Sequence, residues 1–141
     1  MPHLIFVFGT LKQGFRNFHV NRGRRVGGEV VTVEPYPLYV IGPRHLPWLL
    51  DRPGQGLPVV GQLFEVTDDT LAAMDQLERV ADPQWYLRGR LQVQPHPAGG
   101  APVLAWVYFG GEPGFAGATL HAGPITEYTQ ALAARLPVTN P

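Results

Sequence analysis

The chain contains no cysteine, which excludes disulfide bonds, thiolate nucleophiles and cysteine-based metal sites. It also lacks long hydrophobic runs, since apolar segments such as residues 4–8 are far shorter than a bilayer requires. The N-terminus has no basic region followed by a signal-type apolar core. These absences predict a cytoplasmic protein without a membrane partner.

Net charge is lacking as well. Eleven Lys and Arg residues balance eleven Asp and Glu residues, so no overall field attracts the chain to nucleic acid or to an anionic membrane. The five histidines are far apart in the sequence, and none shows the paired spacing of metal ligands. We therefore expect no nucleic-acid partner and no metal ion.

What the chain does contain indicates a globular protein rich in loops. The 141 residues include 45% hydrophobic and 16% charged residues, which predicts one domain, residues 1–141, with a substantial core. Seventeen glycines and fifteen prolines bracket short apolar segments along the sequence. This pattern favours several short strands over a helical bundle.

The apolar patterning predicts six strands, at residues 4–8, 28–33, 36–41, 58–66, 86–94 and 103–109. The last two of these strands are expected to form a hairpin. The first of these is apolar on both faces, as in a fully buried strand. Gly61 lies inside the fourth and indicates a bulge or a close backbone approach.

Two segments have the periodicity of helices. The first covers residues 68–80, with Thr67 as its N-cap and acidic residues in its first turn. The second covers residues 126–135. Its apolar face is expected to pack on the sheet and comprises Ile125, Tyr128, Leu132 and Leu136.

The stretch after the first strand, Gly9-Thr10-Leu11-Lys12-Gln13-Gly14, is half of a phosphate-binding loop. A complete loop continues with Lys and then Ser or Thr, whereas here Phe15 and Arg16 follow, so a nucleotide site is disfavoured. Two interpretations remain open. The segment is either a tight turn that uses the backbone freedom of Gly9, or a set of unpaired N–H groups that binds an anion such as a carboxylate.

A glutamate is expected on the apolar face of the first helix. With 100° per residue, Glu78 falls within the stripe of Leu71 and Met74, whereas Asp75 points to solvent. Burial and the negative end of the helix both raise the pKa of a carboxyl group toward the range that suits acid–base catalysis. Alternatively, Glu78 has a purely structural role, in which it pairs with Arg88 or Arg79 or extends to solvent at the edge of the helix.

Several separated motifs together resemble the gamma-glutamylcyclotransferase superfamily. Residues 6–14, FVFGTLKQG, resemble its opening F-V-Y-G-T-L-K-x-G, and MDQLERV followed by YLRGRLQV resembles its L-D-x-x-E-G segment and next strand. The resemblance is closest to the gamma-glutamylamine cyclotransferases and covers about residues 4–110. It rests further on residues 34–38 (EPYPL), 46–50 (LPWLL) and 53–56 (PGQG).

This resemblance implies an α+β fold, a small mixed β-barrel-like sheet with helices packed around it. It also implies that the protein cyclises the γ-glutamyl group of a γ-glutamylamine, such as γ-glutamyl-ε-lysine, to 5-oxoproline and releases the amine without any cofactor. Glu78 is then the general acid and base. The implied substrate-binding residues are Phe8, Gly9, Thr10, Leu11 and Tyr86, with Trp48 as a possible wall and Pro47 as a candidate cis proline.

Two departures from the family pattern keep other functions open. Phe8 replaces the tyrosine of the Y-G-T-L motif, and Arg79 replaces the glycine that follows the glutamate, where its charge could lower the pKa of Glu78. One rival function is a non-catalytic module that binds a small carboxylate-bearing ligand. Another is the same chemistry on a γ-glutamyl-protected metabolite.

Overall fold

The computed structural model describes residues 2–82, 84–96 and 100–133. The elements in chain order are β1 (His3–Val7), a 3₁₀ helix (Phe18–Val20), β2 (Arg24–Thr32), β3 (Leu38–Ile41), β4 (Leu46–Leu49), β5 (Val60–Val66), α1 (Asp68–Leu77), β6 (Tyr86–Pro95), β7 (Val103–Gly110), α2 (Glu112–Phe115), β8 (Leu120–Ala122) and α3 (Gln130–Ala133). No helix in this part of the chain is long and apolar enough to cross a membrane.

Five strands close into a barrel in the order β1-β5-β2-β6-β7, and a parallel contact between β7 and β1 completes it. The hairpin predicted for the last two long strands is present as β6 and β7. A second sheet has the order β4-β3-β8. The predicted α+β fold with a barrel-like sheet is therefore confirmed.

Strand β1 is buried on both faces, as its unbroken apolar sequence predicts. Phe6 belongs to a core cluster with Leu63, Val93 and Val107. Ile5 and Val7 point the other way, into a second cluster that includes residues of α1. Because successive side chains of a strand alternate between faces, a strand between two cores needs apolar residues at every position.

Helix α1 begins as predicted and ends earlier than predicted. The hydroxyl of Thr67 accepts a hydrogen bond from the N–H of Thr70 and caps the first turn. At the other end Arg79 adopts a left-handed conformation (φ 52°), and its N–H donates to the carbonyl of Gln76. The N–H of Val80 donates to the carbonyl of Asp75, which completes a Schellman motif with Glu78 as the C-cap.

The predictions for the small sheet and the C-terminal segment were less accurate. Strand β4, strand β8 and the four-residue α2 were not predicted from the sequence. Each is short and contains or adjoins proline or glycine. The second predicted helix, 126–135, is present only as α3, since residues 126–129 are not helical. Its last residues and Leu136 lie outside the described residues.

Gly61 in β5 marks a close backbone approach, as predicted. A Cβ atom at this position would overlap the carbonyl oxygen of Val7 and the ring of Phe6. The irregularity in the pairing of β5 with β2 lies in β2, where the register shifts between Arg25 and Glu29. Gly61 therefore lets β1 and β5 come together directly beside the end of β1, where the candidate site lies.

Candidate active site

Glu78 and the five predicted substrate-binding residues all line one small pocket. It lies at the point where β1 ends, α1 ends and β6 begins. Its wall consists of Phe6, Val7, Phe8, Gly9, Thr10, Leu11, Pro47, Glu78, Tyr86 and Tyr108. The fold thus brings the loop after β1 face to face with Glu78, although some 70 residues separate them in the sequence.

The loop after β1 is folded by its own carbonyl groups and by Asn17. The N–H of Lys12 donates to the carbonyl of Gly9 (3.0 Å), and the N–H of Asn17 donates to the carbonyl of Thr10 (3.0 Å). The Asn17 amide also donates to the Thr10 hydroxyl (2.9 Å). In residues 2–82, 84–96 and 100–133 no acceptor is recorded for the N–H groups of Gly9, Thr10 or Leu11. These donors remain available at the pocket.

Gly9 is needed for space rather than for an unusual backbone conformation. A Cβ atom at this position would lie 2.5 Å from Cγ of Pro47. No positive φ is recorded for Gly9, in contrast to Gly14 (φ 90°).

The proposal of a cis peptide at Pro47 was wrong, because the cis bond of the described residues is Gly123–Pro124. Pro47 instead closes the pocket as the central part of β4, which pairs with β3.

Glu78 is half-buried in the pocket wall, and burial raises its pKa to about 7. The structural alternative, an ion pair with a neighbouring arginine, is absent from the described residues. Arg88 pairs with Asp75 through its Nε (2.9 Å), and the guanidinium of Arg79 lies 4.7 Å from the centre of the Trp85 ring. Because no cation neutralises the carboxylate, the cost of desolvation appears directly in its pKa.

Tyr86 reaches the pocket at the start of β6, beside Glu78. Its N–H donates to the Glu78 carbonyl (3.4 Å), and its hydroxyl donates to the carbonyl of Pro47 (2.8 Å). Burial raises the pKa of the Tyr86 hydroxyl well above its ordinary value, and the Glu78 charge raises it further. Tyr86 is therefore a neutral hydrogen-bond donor that ties β4 to the helix end.

Sequence reasoning missed Tyr108, which lines the pocket from β7. Its hydroxyl donates to Oδ1 of Asp75 (2.7 Å), the same oxygen that faces Arg88. The expectation that Asp75 points to solvent was wrong, because this network holds its side chain half-buried against the barrel. The pairing of β6 with β7 places Tyr108 opposite Arg88. The helical periodicity of α1 could not reveal this contact, because it depends on a different part of the chain.

Phe8 and Trp48, which the sequence analysis also connected with the site, have different surroundings. Phe8 is 5% exposed and belongs to the barrel core, with its ring centre 6.2 Å from that of Phe6. The loop that follows it is held by hydrogen bonds that involve no hydroxyl at position 8. Trp48 does not line the pocket of Glu78. It packs behind Tyr86, with ring centres 4.6 Å apart, and donates to the carbonyl of Gly111 (3.0 Å).

A buried lysine anchors the far side of the loop. Lys12 is 3% exposed, and its Nζ donates to the carbonyl of Tyr128 (2.6 Å). Its charge lies 3.9 Å from Glu127 and 4.5 Å from the centre of the Phe15 ring. Burial lowers the pKa of Lys12. This side chain fastens the loop to the segment before α3 and does not line the pocket.

A carboxyl group whose pKa is raised by burial, opposite unused backbone donors, is an arrangement that can support acid–base chemistry. Comparison with known proteins identifies the class. The profile of the family described as "Gamma-glutamyl cyclotransferase, AIG2-like" matches residues 5–127. The chain therefore belongs to this family and is an enzyme of the gamma-glutamylcyclotransferase type.

Individual relatives agree with this assignment. The chain is 39% identical over 116 residues to the gamma-glutamylaminecyclotransferase of Rattus norvegicus, covering 79% of this chain and 70% of the rat protein. The Mus musculus protein of the same name is 40% identical over 111 residues, or 75% of this chain and 67% of its own length. The crystal structure of an AIG2-like protein from Mus musculus superposes with a TM-score of 0.71 at 33% identity, covering 91% of this chain and 88% of that one.

Proposed function

We propose that this enzyme cyclises the γ-glutamyl group of a γ-glutamylamine, such as γ-glutamyl-ε-lysine, to 5-oxoproline and releases the free amine. The observation that carries the proposal is Glu78, a carboxyl group with a pKa of about 7 in a pocket with unused backbone donors. Near neutral pH such a group is present in both protonation states, so it can accept a proton and then return one.

The loop after β1 would hold the glutamyl part of the substrate. The free N–H groups of Gly9, Thr10 and Leu11 suit a carboxylate or the oxygen that becomes negative when the γ-carbonyl is attacked. The small size of the pocket favours a folded glutamyl chain, in which the α-nitrogen already lies near the γ-carbon. Such preorganisation supplies much of the rate of an intramolecular reaction.

The reaction needs no nucleophile from the protein. The substrate's α-nitrogen forms a bond to the γ-carbonyl carbon, and the bond from that carbon to the amine nitrogen breaks. Glu78 accepts a proton from the attacking nitrogen and gives one to the departing nitrogen. Overall the α-nitrogen, initially an ammonium, loses two protons, and a basic amine gains two, so no acid or base is consumed.

The raised pKa of Glu78 favours this enzyme over the non-catalytic ligand-binding module, in which the carboxyl group would titrate like an exposed one. Family membership favours the enzyme as well. The remaining alternative, the same chemistry on a γ-glutamyl-protected metabolite, would use the same pocket. It differs from the proposed reaction only in the amine that is released.

The experiment is an assay for 5-oxoproline after incubation of the purified protein with γ-glutamyl-ε-lysine and other γ-glutamylamines. We expect 5-oxoproline and free amine in equal amounts. Glu78→Gln should reduce the rate by at least about 100-fold, because general acid–base catalysis is typically worth 10²–10⁴.

Glu34→Gln provides the matched control, since Glu34 is exposed and lies outside the pocket. It should retain the parent rate. Failure to form 5-oxoproline from any γ-glutamylamine would refute the proposed reaction. A Glu78→Gln variant as active as Glu34→Gln would refute the role given to Glu78.

A further inference from the structure

A second pocket, of about 230 Å³, adjoins the pocket of Glu78 and shares three of its residues, Thr10, Glu78 and Tyr86. The rest of its wall differs sharply in chemistry, because it carries three arginines. We call Arg16, Arg44 and Arg79 the arginine vestibule. Other residues that line this pocket are Asn17, Leu46, Leu77 and Trp85.

The positive charge of the vestibule is not balanced by the protein. Some arginines elsewhere have carboxylate partners, as in Arg24 with Glu65 and Arg52 with Glu112. In the described part of the chain no ion pair is recorded for any of the three vestibule arginines. Glu78 is the one acidic residue that lines the pocket, and its raised pKa leaves it partly protonated at neutral pH.

The charges of two of these arginines lie close to the aromatic groups of the site. The charge of Arg16 acts on the hydroxyls of Tyr86 and Tyr128, where it lowers the pKa that burial raises. The guanidinium of Arg79 stacks on the ring of Trp85, which also lines the vestibule. These two charges therefore face the site.

Arg79 occupies a position that the backbone geometry reserves for glycine. It is the left-handed residue of the Schellman motif that ends α1, with φ 52°. A residue with a side chain costs about 1–2 kcal/mol in that conformation, and glycine costs nothing there. An unfavourable backbone conformation that is retained beside a site is evidence for a function of the side chain.

We propose that the arginine vestibule binds the amine part of the substrate and selects amines that carry a carboxylate. The proposal rests on the function proposed above. Glu78 lines both pockets, so the bond that breaks lies at their junction, with the glutamyl group on the loop side. The departing amine then extends into the vestibule, where three unpaired cations attract an anionic group and repel a cationic one.

Three γ-glutamyl amides of equal length test the charge preference. Their amine parts are 4-aminobutyrate, 4-aminobutanamide and 1,4-diaminobutane, which end in a carboxylate, a neutral amide and an ammonium group. We expect kcat/KM for the carboxylate to exceed that for the neutral amide about tenfold, and that for the ammonium compound to be lower still, because exposed charge pairs each contribute modestly. The preference should shrink as salt is added.

The combined variant R16Q/R44Q/R79G should reduce the carboxylate preference to less than about twofold, because kcat/KM for the carboxylate compound falls much more than kcat/KM for the neutral amide. Glycine suits the backbone at position 79, so the end of the helix is preserved. Arg22→Gln is the matched control, because Arg22 is exposed and lies outside both pockets. It should retain the full preference.

Binding of the same three compounds to Glu78→Gln, measured by calorimetry, separates this proposal from the proposed reaction. No 5-oxoproline from any compound, together with tighter binding of the carboxylate, would refute the reaction and support the anion-selective vestibule. Equal affinities, or equal kcat/KM for the three compounds in the parent enzyme, would overturn the vestibule and leave the reaction standing. A preference that persists in the triple variant would also overturn it.

Discussion

Replacing Glu78 with glutamine should make the protein more stable at alkaline pH, even though it removes the proposed catalytic group. The carboxyl group has an ordinary pKa of 4.5 and a pKa of about 7 in the folded protein. The folded state thus binds this proton more tightly than the unfolded state. The resulting stabilisation is complete below about pH 4.5 and is lost as the pH rises through about 7.

The size of the effect follows from the two pKa values. A tenfold change in a proton equilibrium corresponds to about 1.4 kcal/mol, so deprotonation costs the folded state about 3 kcal/mol in a dry pocket. Glu78 is half-buried, and screening by solvent reduces this to about 2 kcal/mol. Glutamine has a similar shape and carries no charge at any pH, so it avoids the cost.

The assay is urea denaturation of the parent protein, Glu78→Gln and the control Glu34→Gln at pH 5 and pH 8. We expect Glu78→Gln to exceed the parent in free energy of unfolding by about 2 kcal/mol at pH 8 and by less than about 1 kcal/mol at pH 5. Glu34→Gln should track the parent at both values. A gap that does not depend on pH would show that burial does not raise the pKa of Glu78, and the argument for its role would fail.

Three further substitutions test the geometry around Glu78. Gly9→Ala should cost about 1–3 kcal/mol in urea denaturation, because its Cβ would lie 2.5 Å from Pro47, whereas Gly28→Ala, with open space around it, should cost much less; equal costs would contradict the close approach. Asp75→Asn should cost about 1–2 kcal/mol, since it removes the charge that holds Arg88 and Tyr108, and an unchanged free energy of unfolding would contradict that network. Tyr86→Phe should reduce kcat/KM far less than Glu78→Gln, because the Tyr86 hydroxyl is engaged by Pro47; a loss as large as that of Glu78→Gln would place this hydroxyl in the chemistry.

Local patterns in the sequence predicted the parts of the fold that have strong periodicity. The unbroken apolar run of residues 4–8 predicted a strand buried on both faces, and β1 is such a strand. The position of Glu78 on the apolar stripe of α1 predicted its approach to the interior, and it lines the pocket. Both predictions follow from the geometry of a single element, which the spacing of its own residues determines.

Features that depend on pairing between distant segments could not be predicted in this way. Tyr108 and Asp75 meet because β7 passes α1, and no local pattern connects positions 75 and 108. Strand β4 contains Pro47, which argues against a strand in isolation, yet β4 forms at the edge of its sheet. The early end of α1 depends on the left-handed backbone conformation of Arg79, which residues other than glycine seldom adopt.

The pH dependence of kcat/KM for release of 5-oxoproline from γ-glutamyl-ε-lysine tests the central claim most directly. If Glu78 must be deprotonated to accept the proton, kcat/KM should fall about tenfold per pH unit below about pH 7, and this limb should be absent from the residual activity of Glu78→Gln. A plateau that extends down to pH 5, or a limb near pH 7 that persists in Glu78→Gln, would contradict the account.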